Sequence, residues 1–434
     1  SINFKKKEWE ILIEYYLYLS IIHLKRRFET FKKIRNKKNI IIEANNFDFF
    51  FENCSIYKEN QAHSVKFNNY VNYLLSKKFQ LKTINKLNST SKSKLINIIE
   101  ERYKQSVYKK FFYLFLDYFS FFLKPIIIFD GYFGAKNAIK VILKSKFKIF
   151  FANIDYFNFS IKKIILRKDH KSRSKISIKL LDDFDYIYQE FIQNTLPSSY
   201  LENFCNYYKL NDRNCNLISK IGTSIHIPAN DYFKFAIVNL KKKNKKIFNI
   251  QHGGGFGNKF PAPDDYVNNK FSDLNIYWND RKKKIGSQYF LDLKLKKFKF
   301  SNEILLLPSH QLFHPIIDNL SNYNHLYLNQ NWDLIKILCE RDFLNLTVKF
   351  FKHKNDDLLK KIWKKNFNKK IKILDNNYSY KGRIFKDFDL IIVNDFSTAF
   401  YELMYYKKPF IVLNSAPSTN FKKEFWQVVQ GLKK

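Results

Sequence analysis

The sequence predicts an α/β protein with two doubly wound, Rossmann-like units and an additional helical segment at the N-terminus. Short apolar runs alternate with amphipathic runs of helical period from residue 111 to about 290, and the alternation begins again near residue 300. The hydrophobic fraction, 45% of 434 residues, is sufficient for large cores. Strands that alternate with helices in this way favour parallel sheets.

The first predicted segment, 1–110, is helical or α+β. It begins with "WEILIEYYLYLSIIHLKRRFETFKKIRNKK", where apolar residues recur at helical spacing and the second half is basic. This pattern predicts an amphipathic N-terminal helix, with a packed helix hairpin as the alternative.

The second segment, 111–290, holds the first strand and helix series. An apolar helix is predicted to end near Lys124-Pro125, followed by strand "IIIFD", helix "AKNAIKVILKSK" and strand "FKIFFANI". Further along, "LISKIGTS", "NDYFKFAIVNLKKKN" and "KIFNI" predict strand, helix and strand, with Asn230 or Asp231 as the N-cap. The basic stretch 162–179 is predicted to be a solvated surface loop, with a mobile loop over an anionic ligand as the alternative.

The third segment, 300–434, begins with strand "EILLLPS" and alternates helix and strand up to "PFIVLN". After Asn414 the sequence predicts at most one short helix. We therefore expect a small C-terminal unit and a chain that is truncated at its C-terminus.

The charge balance favours anionic partners. Lys and Arg number 77 against 39 Asp and Glu, a formal net charge of +38. Because the lysines are spread along the chain and match a low-GC composition, charge alone does not predict nucleic-acid binding. The four cysteines lack metal-ligand spacing, which indicates a reducing compartment. Asp117, Lys124 and Pro125 interrupt the longest apolar run, 111–130, so no transmembrane helix is predicted.

The stretch "NIQHGGGFG" follows a predicted strand and holds four of the chain's ten glycines. Ligands bind at the carboxyl ends of strands in parallel sheets, and consecutive glycines bring backbone N–H groups close to an anion. Gly253, Gly254 and Gly255 are therefore predicted to bind phosphate, and His252 is placed to accept a proton from an attacking hydroxyl. A tight turn with a structural histidine is the alternative.

A second candidate site lies in "DFDLIIVNDFSTAFYELMYYKKPFIVLN", 387–414, which predicts strand, turn, helix and strand. Ser397 and Thr398 fall at the start of the helix, where hydroxyl and free N–H groups bind a diphosphate. Glu402 lies one turn deeper and is predicted to accept hydrogen bonds from a ribose. Helix capping by Ser397 or Asp395, with a structural Glu402, is the alternative.

Several further residues are weaker candidates. Ser309 and His310 follow strand "EILLLPS" and are predicted to contact donor phosphate, while His314 is predicted to be structural. Thr223, Ser224 and His226 end a strand and are candidates for a cleft, with a satisfied turn as the alternative. The adjacent carboxylates Asp264 and Asp265 are not expected to share a metal, so no metal is predicted.

The motifs around 215–415 resemble the transferases of O-antigen and surface-carbohydrate gene clusters, which are distantly similar to CDP-glycerol glycerophosphotransferases and to GT-B glycosyltransferases. The resemblance implies two Rossmann-like domains that face a cleft, with a nucleotide-activated donor on the C-terminal one. His252-Gly253 matches the histidine-glycine pair that serves as base in the glycerophosphotransferases, Ser397 and Thr398 match their phosphate-binding pair, and Glu402 matches the GT-B ribose position. Where the relatives have a histidine followed by proline, this chain has His353 followed by Lys354, so Lys352 and His353 are only cleft candidates.

These observations predict a cytoplasmic, metal-independent glycosyltransferase without a cofactor, which takes its sugar from a nucleotide donor. The predicted acceptor is a surface glycan or a lipid-linked glycan, and the acidic inner membrane face is a predicted partner, with the N-terminal helix as contact. Three alternatives remain: a CDP-glycerol type polyol-phosphate transferase, a basic nucleic-acid-binding protein and an inactive relative that binds donor.

Overall fold

The computed structural model describes the following residues, to which all structural statements below refer: 4–37, 42–43, 47–84, 94–98, 107–130, 134–153, 165, 167–251, 253, 263–277, 302–308, 324–341, 345–350, 354–367, 370–374, 384–413 and 422–431. The chain forms two compact units. The first comprises Ser1–Gly131, Ala138–Asn249 and Val267–Asn275, and the second comprises Tyr132–Asn137, Ile250–Tyr266 and Ile276–Lys434.

The helices of the described residues follow in chain order: α1 Lys6–Ile34, α2 Cys54–His63, α3 Val65–Lys78, α4 Val107–Leu123, α5 Gly134–Lys144, α6 His170–Ser174, α7 Asp183–Thr195, α8 Phe204–Leu217, α9 His226–Ala229, α10 Asp231–Lys242, α11 Pro263–Phe271, α12 Asn324–Cys339, α13 Lys354–Phe367, α14 Thr398–Tyr406 and α15 Lys423–Gly431. Within this part of the chain, no helix is long and apolar enough to cross a membrane.

The strands of the described residues are β1 Ile42–Glu43, β2 Phe47–Phe51, β3 Thr83–Ile84, β4 Lys94–Ile98, β5 Ile126–Phe129, β6 Ile149–Ala152, β7 Lys220–Thr223, β8 Lys246–Ile250, β9 Leu274–Ile276, β10 Glu303–Leu307, β11 Asn345–Val348, β12 Ile371–Ile373, β13 Leu390–Val393 and β14 Phe410–Val412. In the N-terminal segment, β1 pairs with β3 and β2 pairs with β4, both in parallel.

The first large sheet has the order β6-β5-β7-β8-β9 among the described strands. The chain runs outward in one direction from β5 to β6 and in the other from β7 to β9, which is the flavodoxin-like order 2-1-3-4-5. Its topological switch point therefore lies between β5 and β7. Those two strands are parallel, and Phe129 pairs with Thr223 at their carboxyl ends.

The second large sheet has the order β12-β11-β10-β13-β14 in the described part of the chain, the Rossmann order 3-2-1-4-5. Its neighbouring strands are parallel. Along β10, Leu305 and Leu307 enter one buried cluster and Ile304 and Leu306 enter another, so both faces of the sheet are covered. The predicted pair of Rossmann-like sheets is confirmed, and the switch point of this one lies between β10 and β13.

Helix α1 forms as predicted, but its apolar residues point into the first unit. The buried side chains include Leu12, Tyr15, Tyr16, Leu19 and Leu24, and the helix packs against α3, α7 and α10. The segment is one continuous helix, as predicted, and not the hairpin of the alternative. This apolar surface is covered by protein, so α1 does not offer it to a membrane.

A buried polar network fastens α1 to the centre of the first unit. The Asp231 carboxylate accepts hydrogen bonds from the Tyr200 hydroxyl at 2.5 Å, the Ser199 hydroxyl at 2.5 Å and the Cys54 backbone N–H at 2.9 Å. Lys234 Nζ lies 3.3 Å from the same carboxylate and donates to the carbonyl of Leu12 in α1. Because the Asp231 and Lys234 side chains are fully buried, each charge offsets the cost of removing the other from water.

Gly222 illustrates why glycine occupies the interior of β7. Its register partner on β8 is Phe248, whose ring lies 2.2 Å from the position that a Cβ atom at residue 222 would take. A side chain there would overlap the ring. The glycine therefore lets an aromatic residue of the neighbouring strand cover the backbone.

Candidate functional site

An aspartate and a histidine meet at the switch point of the first sheet. Asp130 follows β5 and His226 begins α9 after β7, and the Asp130 carboxylate contacts Nε2 of the imidazole. The Asp130 backbone has φ of 47°, a left-handed conformation that aspartate tolerates better than most residues. The imidazole is almost buried and the carboxylate is partly exposed. This pair lies where doubly wound sheets bind ligands.

The Thr223 side chain holds the turn into α9. The Thr223 hydroxyl accepts hydrogen bonds from the backbone N–H groups of Ile225 at 3.3 Å and His226 at 3.2 Å. Thr223 and Ser224 are both fully buried. For Thr223 the structure favours the satisfied turn over a residue that lines a cleft, and this turn orients the backbone that carries His226.

The sequence did not indicate the Asp130–His226 pair. Asp130 was only the last residue of a strand pattern, and His226 lies 96 positions further along the chain. The parallel register of β5 and β7 brings the two together. The sequence feature that could have predicted the pair is that each residue follows a predicted strand, directly or within one turn.

The glycine stretch follows β8, whose Asn249 pairs with Thr223 at the same edge of the sheet. Gln251 is buried, its backbone N–H donates to the carbonyl of Ile276 at 2.9 Å, and its amide donates to the Gly253 carbonyl at 2.9 Å. The start of the stretch is thus fastened by hydrogen bonds. His252, Gly254 and Gly255 lie outside the described residues, so their predicted roles stay predictions.

The switch point of the second sheet presents the start of α14. Ser397 is the N-cap residue and has an extended backbone with no side-chain capping bond, while its own N–H donates to the Asp395 carboxylate at 3.2 Å. Ser397 and Thr398 are half-buried. The Ser397 hydroxyl therefore does not cap the helix, contrary to the alternative. It lies at the positive end of the helix dipole, a position that favours anions.

A pair of asparagines fixes the strand end before this turn. Asn394 and Asn331 are buried and exchange two amide hydrogen bonds, of 3.0 and 2.9 Å. Asn331 belongs to α12, so the pair ties that helix to the carboxyl end of β13. The polypeptide that leads into Ser397 is therefore held in place.

Glu402 lies one turn into α14 and is buried on the core side of the helix. Burial in the first place, and then the Glu402 charge, raise the pKa of Tyr406 to about 12. The carboxylate thus lies next to a residue of the hydrophobic core. The predicted ribose role is a proposal, and this position fits the structural alternative as well.

A buried lysine that the sequence did not single out lies at the same edge. Lys349 follows β11, where Val348 pairs with Leu306 of β10. Burial, and then the charge of Lys360, lower the pKa of Lys349. A partly desolvated cation beside a switch point suits an anionic ligand. Ser309, His310, Lys352 and His353 lie outside the described residues.

The described part of the basic stretch 162–179 is mostly exposed, as predicted, but it includes the short helix α6 and two buried cations. Lys168 is buried and contacts the Asp48 carboxylate, and Arg173 is buried in a two-point pair with Glu202, with N–O distances of 2.6 and 2.9 Å. The sequence shows the charges but not the carboxylates that compensate them. A cavity of about 760 Å³ lies beside them, and because its buried cations are already paired, it is a weaker anion site than the sheet edges.

Three or more His, Cys, Asp or Glu residues that could hold a metal do not come together anywhere in the described residues. The four cysteines, all of which the structure describes, are free thiols.

Two parallel sheets, each with polar side chains at its switch point, define a doubly wound α/β protein, a class that binds ligands at such switch points. The chain belongs to the LIC12162 family transferase group, whose family model matches residues 1–434. The protein is therefore a transferase, as the sequence predicted. A comparison with curated proteins finds no match.

Among solved structures, the chain is similar to the S. aureus MnaA–UDP structure at 11% identity, over 72% of this chain and 88% of that one, with a TM-score of 0.38. It is also similar to Acinetobacter baumannii MurG at 8% identity, over 71% of this chain and 82% of that one, with a TM-score of 0.36.

Proposed function

We propose that the protein is a glycosyltransferase that moves a sugar from a nucleotide-activated donor to a glycan acceptor of the cell surface. The observation that carries the proposal is the start of α14. An N-cap serine without a side-chain capping bond stands at the switch point of a sheet in Rossmann order. Exposed N–H groups and a helix dipole at this position suit a diphosphate, and the transferase family supplies the reaction class.

The second unit would hold the donor. The Ser397 and Thr398 hydroxyls and the first N–H groups of α14 bind the diphosphate, and Ser309 and His310, which follow β10 in the sequence, are further proposed ligands. Lys349 adds positive charge at the same edge. These groups stabilise the charge that develops on the leaving nucleotide, a role that a metal has in other enzymes.

The first sheet would serve the acceptor. His252 takes the proton of the attacking acceptor hydroxyl, the oxygen forms a bond to the anomeric carbon, and the bond from that carbon to the donor phosphate breaks. The electron pair leaves with the nucleotide, beside Gly253, Gly254 and Gly255. We assign the Asp130–His226 pair to positioning the acceptor, because its imidazole is held by a carboxylate at the switch point.

The resemblance of His252-Gly253 to glycerophosphotransferases supports a second candidate, transfer of a polyol phosphate from a CDP-linked donor. The two differ in the bond that breaks. Sugar transfer from a nucleoside diphosphate sugar releases a nucleoside diphosphate, whereas polyol-phosphate transfer releases CMP. Because a CMP-linked sugar donor also releases CMP, the two are separated by the group found on the acceptor, a sugar or a polyol phosphate. In either case, we propose a lipid-linked glycan acceptor at the cytoplasmic, acidic face of a membrane.

The Ser397→Asp variant tests the donor site. Aspartate is a favoured N-cap residue and its charge suits the helix dipole, so we expect the thermal midpoint to stay the same or rise. The same charge repels a diphosphate, so the dissociation constant of the nucleotide donor is expected to rise about ten-fold or more. Calorimetric titration and thermal unfolding on the same samples measure both effects.

Tyr405→Gln is the matched control, since Tyr405 is exposed on the same helix. It should bind donor like the wild type. Donor affinity that is unchanged in Ser397→Asp would place the diphosphate elsewhere. A Glu402→Gln variant added to the series tests the ribose assignment, which unaltered donor affinity would remove.

A further inference from the structure

Helix α4 presents a continuous apolar face to solvent. Nine large apolar side chains of this helix are exposed, by the following fractions: Tyr108 87%, Phe111 68%, Phe112 38%, Leu114 54%, Phe115 45%, Tyr118 66%, Phe121 68%, Phe122 66% and Leu123 44%. With about 200 Å² for each large side chain, the face exposes on the order of 1,000 Å². The largest patch on an ordinary monomer is about 300–600 Å².

The exposed apolar side chains of α4 lie along one side of the helix and are not single residues spread over the surface. The inward stripe consists of Tyr113, Leu116 and Ser120, which are buried, and α4 packs against α8. The opposite stripe runs through Phe111, Phe115, Tyr118 and Phe122 at helical spacing. An ordinary surface helix has charged residues along such a stripe.

Neighbouring rings extend the face beyond the helix. The Phe115 and Phe119 centroids lie 4.3 Å apart, and the Phe119 ring lies 6.1 Å from Phe147, which follows α5. Phe147 is itself partly exposed. The aromatic surface therefore continues from α4 to the turn before β6.

Lysines border this surface at one end. Lys124 precedes β5 and Lys148 precedes β6, and because Ile126 pairs with Ile149, both lysines lie at the same edge of the sheet. Lys144 and Lys146 lie in the adjoining end of α5 and its turn, and all four are exposed. From 107 to 148 the sequence has eight lysines and two acidic residues, Asp117 and Asp130, and Asp130 contacts His226.

Charge and size decide which partner fits. A second copy bound through this face would bring two lysine borders together, which is unfavourable. Helix α4 is too short to cross a membrane, because its 17 residues form about 25 Å of helix and the hydrocarbon core of a bilayer is about 30 Å thick. Aromatic and aliphatic side chains in a row, with lysines at the border, match an interface between hydrocarbon and anionic head groups.

We propose that the exposed face of α4, together with Phe147, docks the protein on the surface of an anionic lipid bilayer. The helix lies in the plane of the interface, its Phe and Tyr side chains enter the boundary of the acyl chains, and Lys124, Lys144, Lys146 and Lys148 contact head-group phosphates. The proposal does not depend on the donor site. It names a surface other than α1 for membrane contact.

Vesicle co-sedimentation of the full chain without donor tests the proposal. Wild-type protein is expected to bind vesicles with about one third phosphatidylglycerol at least about ten-fold more strongly than pure phosphatidylcholine vesicles, at about 0.1 M salt. The Phe111→Gln, Tyr118→Gln, Phe122→Gln triple variant should lose about ten-fold or more of this binding. The control is a triple variant at apolar residues exposed elsewhere, Val65→Gln, Leu181→Gln and Tyr186→Gln, which should bind like the wild type.

The lysine variant Lys144→Gln, Lys146→Gln, Lys148→Gln should lose the preference for anionic vesicles. Thermal unfolding checks that each variant is folded, which is expected because the changed side chains are exposed. Equal binding by the wild type and the α4 triple variant would overturn the proposal. So would a wild-type dimer that the triple variant turns into monomer without a change in vesicle binding, since the occupant would then be a second copy.

Discussion

The His252→Ala variant is expected to lose about two to four orders of magnitude in kcat for transfer while its donor affinity stays near that of the wild type. The acceptor hydroxyl is a poor nucleophile until a base takes its proton, and alanine cannot do so. Donor affinity is retained because the proposed donor groups, Ser397 and Thr398, lie at the start of α14, whereas His252 follows β8 in the sequence. Single-turnover transfer at saturating donor, with a parallel donor titration, measures both quantities.

The matched variant is His226→Gln, which retains a polar side chain next to Asp130. Since the Asp130–His226 pair is assigned to acceptor positioning, this variant should raise the KM for acceptor and change kcat by less than about ten-fold. The reverse ranking, with normal turnover in His252→Ala and a large loss in His226→Gln, would make His226 the base.

The Asp231→Ala variant is expected to lower the free energy of unfolding of the first unit by about 3–5 kcal/mol. It leaves the Lys234 ammonium group buried without its carboxylate, and it removes the acceptor of the Ser199, Tyr200 and Cys54 hydrogen bonds. Burial, and then the Asp231 charge, raise the pKa of Tyr200 well above its usual range, so this phenol stays protonated and donates. Denaturant unfolding, followed at the transition of the first unit, measures the loss.

Two further variants test the reason for that loss. Adding Lys234→Met to Asp231→Ala removes the uncompensated charge and should recover about 1 kcal/mol or more. Glu29→Ala breaks an exposed pair with Lys25, 3.6 Å apart, leaves the Lys25 contact with the Phe184 ring in place, and should change stability by less than about 0.5 kcal/mol. If Asp231→Ala behaves like the surface variant, then the network does not hold α1 to the unit.

Most strands of the two large sheets could be predicted because each is a short apolar run with turn residues on both sides, whereas β1 to β4 and β9 were not predicted. "KIFNI" is β8 from its first residue to its last, and Asn230 caps α10 through its side chain as predicted. Such features depend on a few neighbouring residues. The switch points could not be located from the sequence, because the order of strands in a sheet depends on which distant strands pair.

The misplaced features share the same physical cause. A basic or amphipathic pattern shows which side chains of a segment need burial or an opposite charge. It does not show which other segment covers or neutralises them. The pattern predicts a solvated Arg173, but the structure pairs it with Glu202. The pattern of α1 predicts contact with a membrane surface, but α3, α7 and α10 cover its apolar side. In α4 the pattern was apolar on nearly every side, and only the structure shows which face is left uncovered.

Titration of the protein with UDP-, GDP-, CDP- and CMP-linked donors, with single-stranded and duplex nucleic acid in parallel, tests the central claim most directly. We expect one donor class to bind saturably at one site, weakly affected by salt and weakened about ten-fold or more in Ser397→Asp. Nucleic acid should bind weakly or not at all. Absence of any saturable donor, together with nucleic-acid affinity that falls steeply with salt, would contradict the account and identify a nucleic-acid-binding protein.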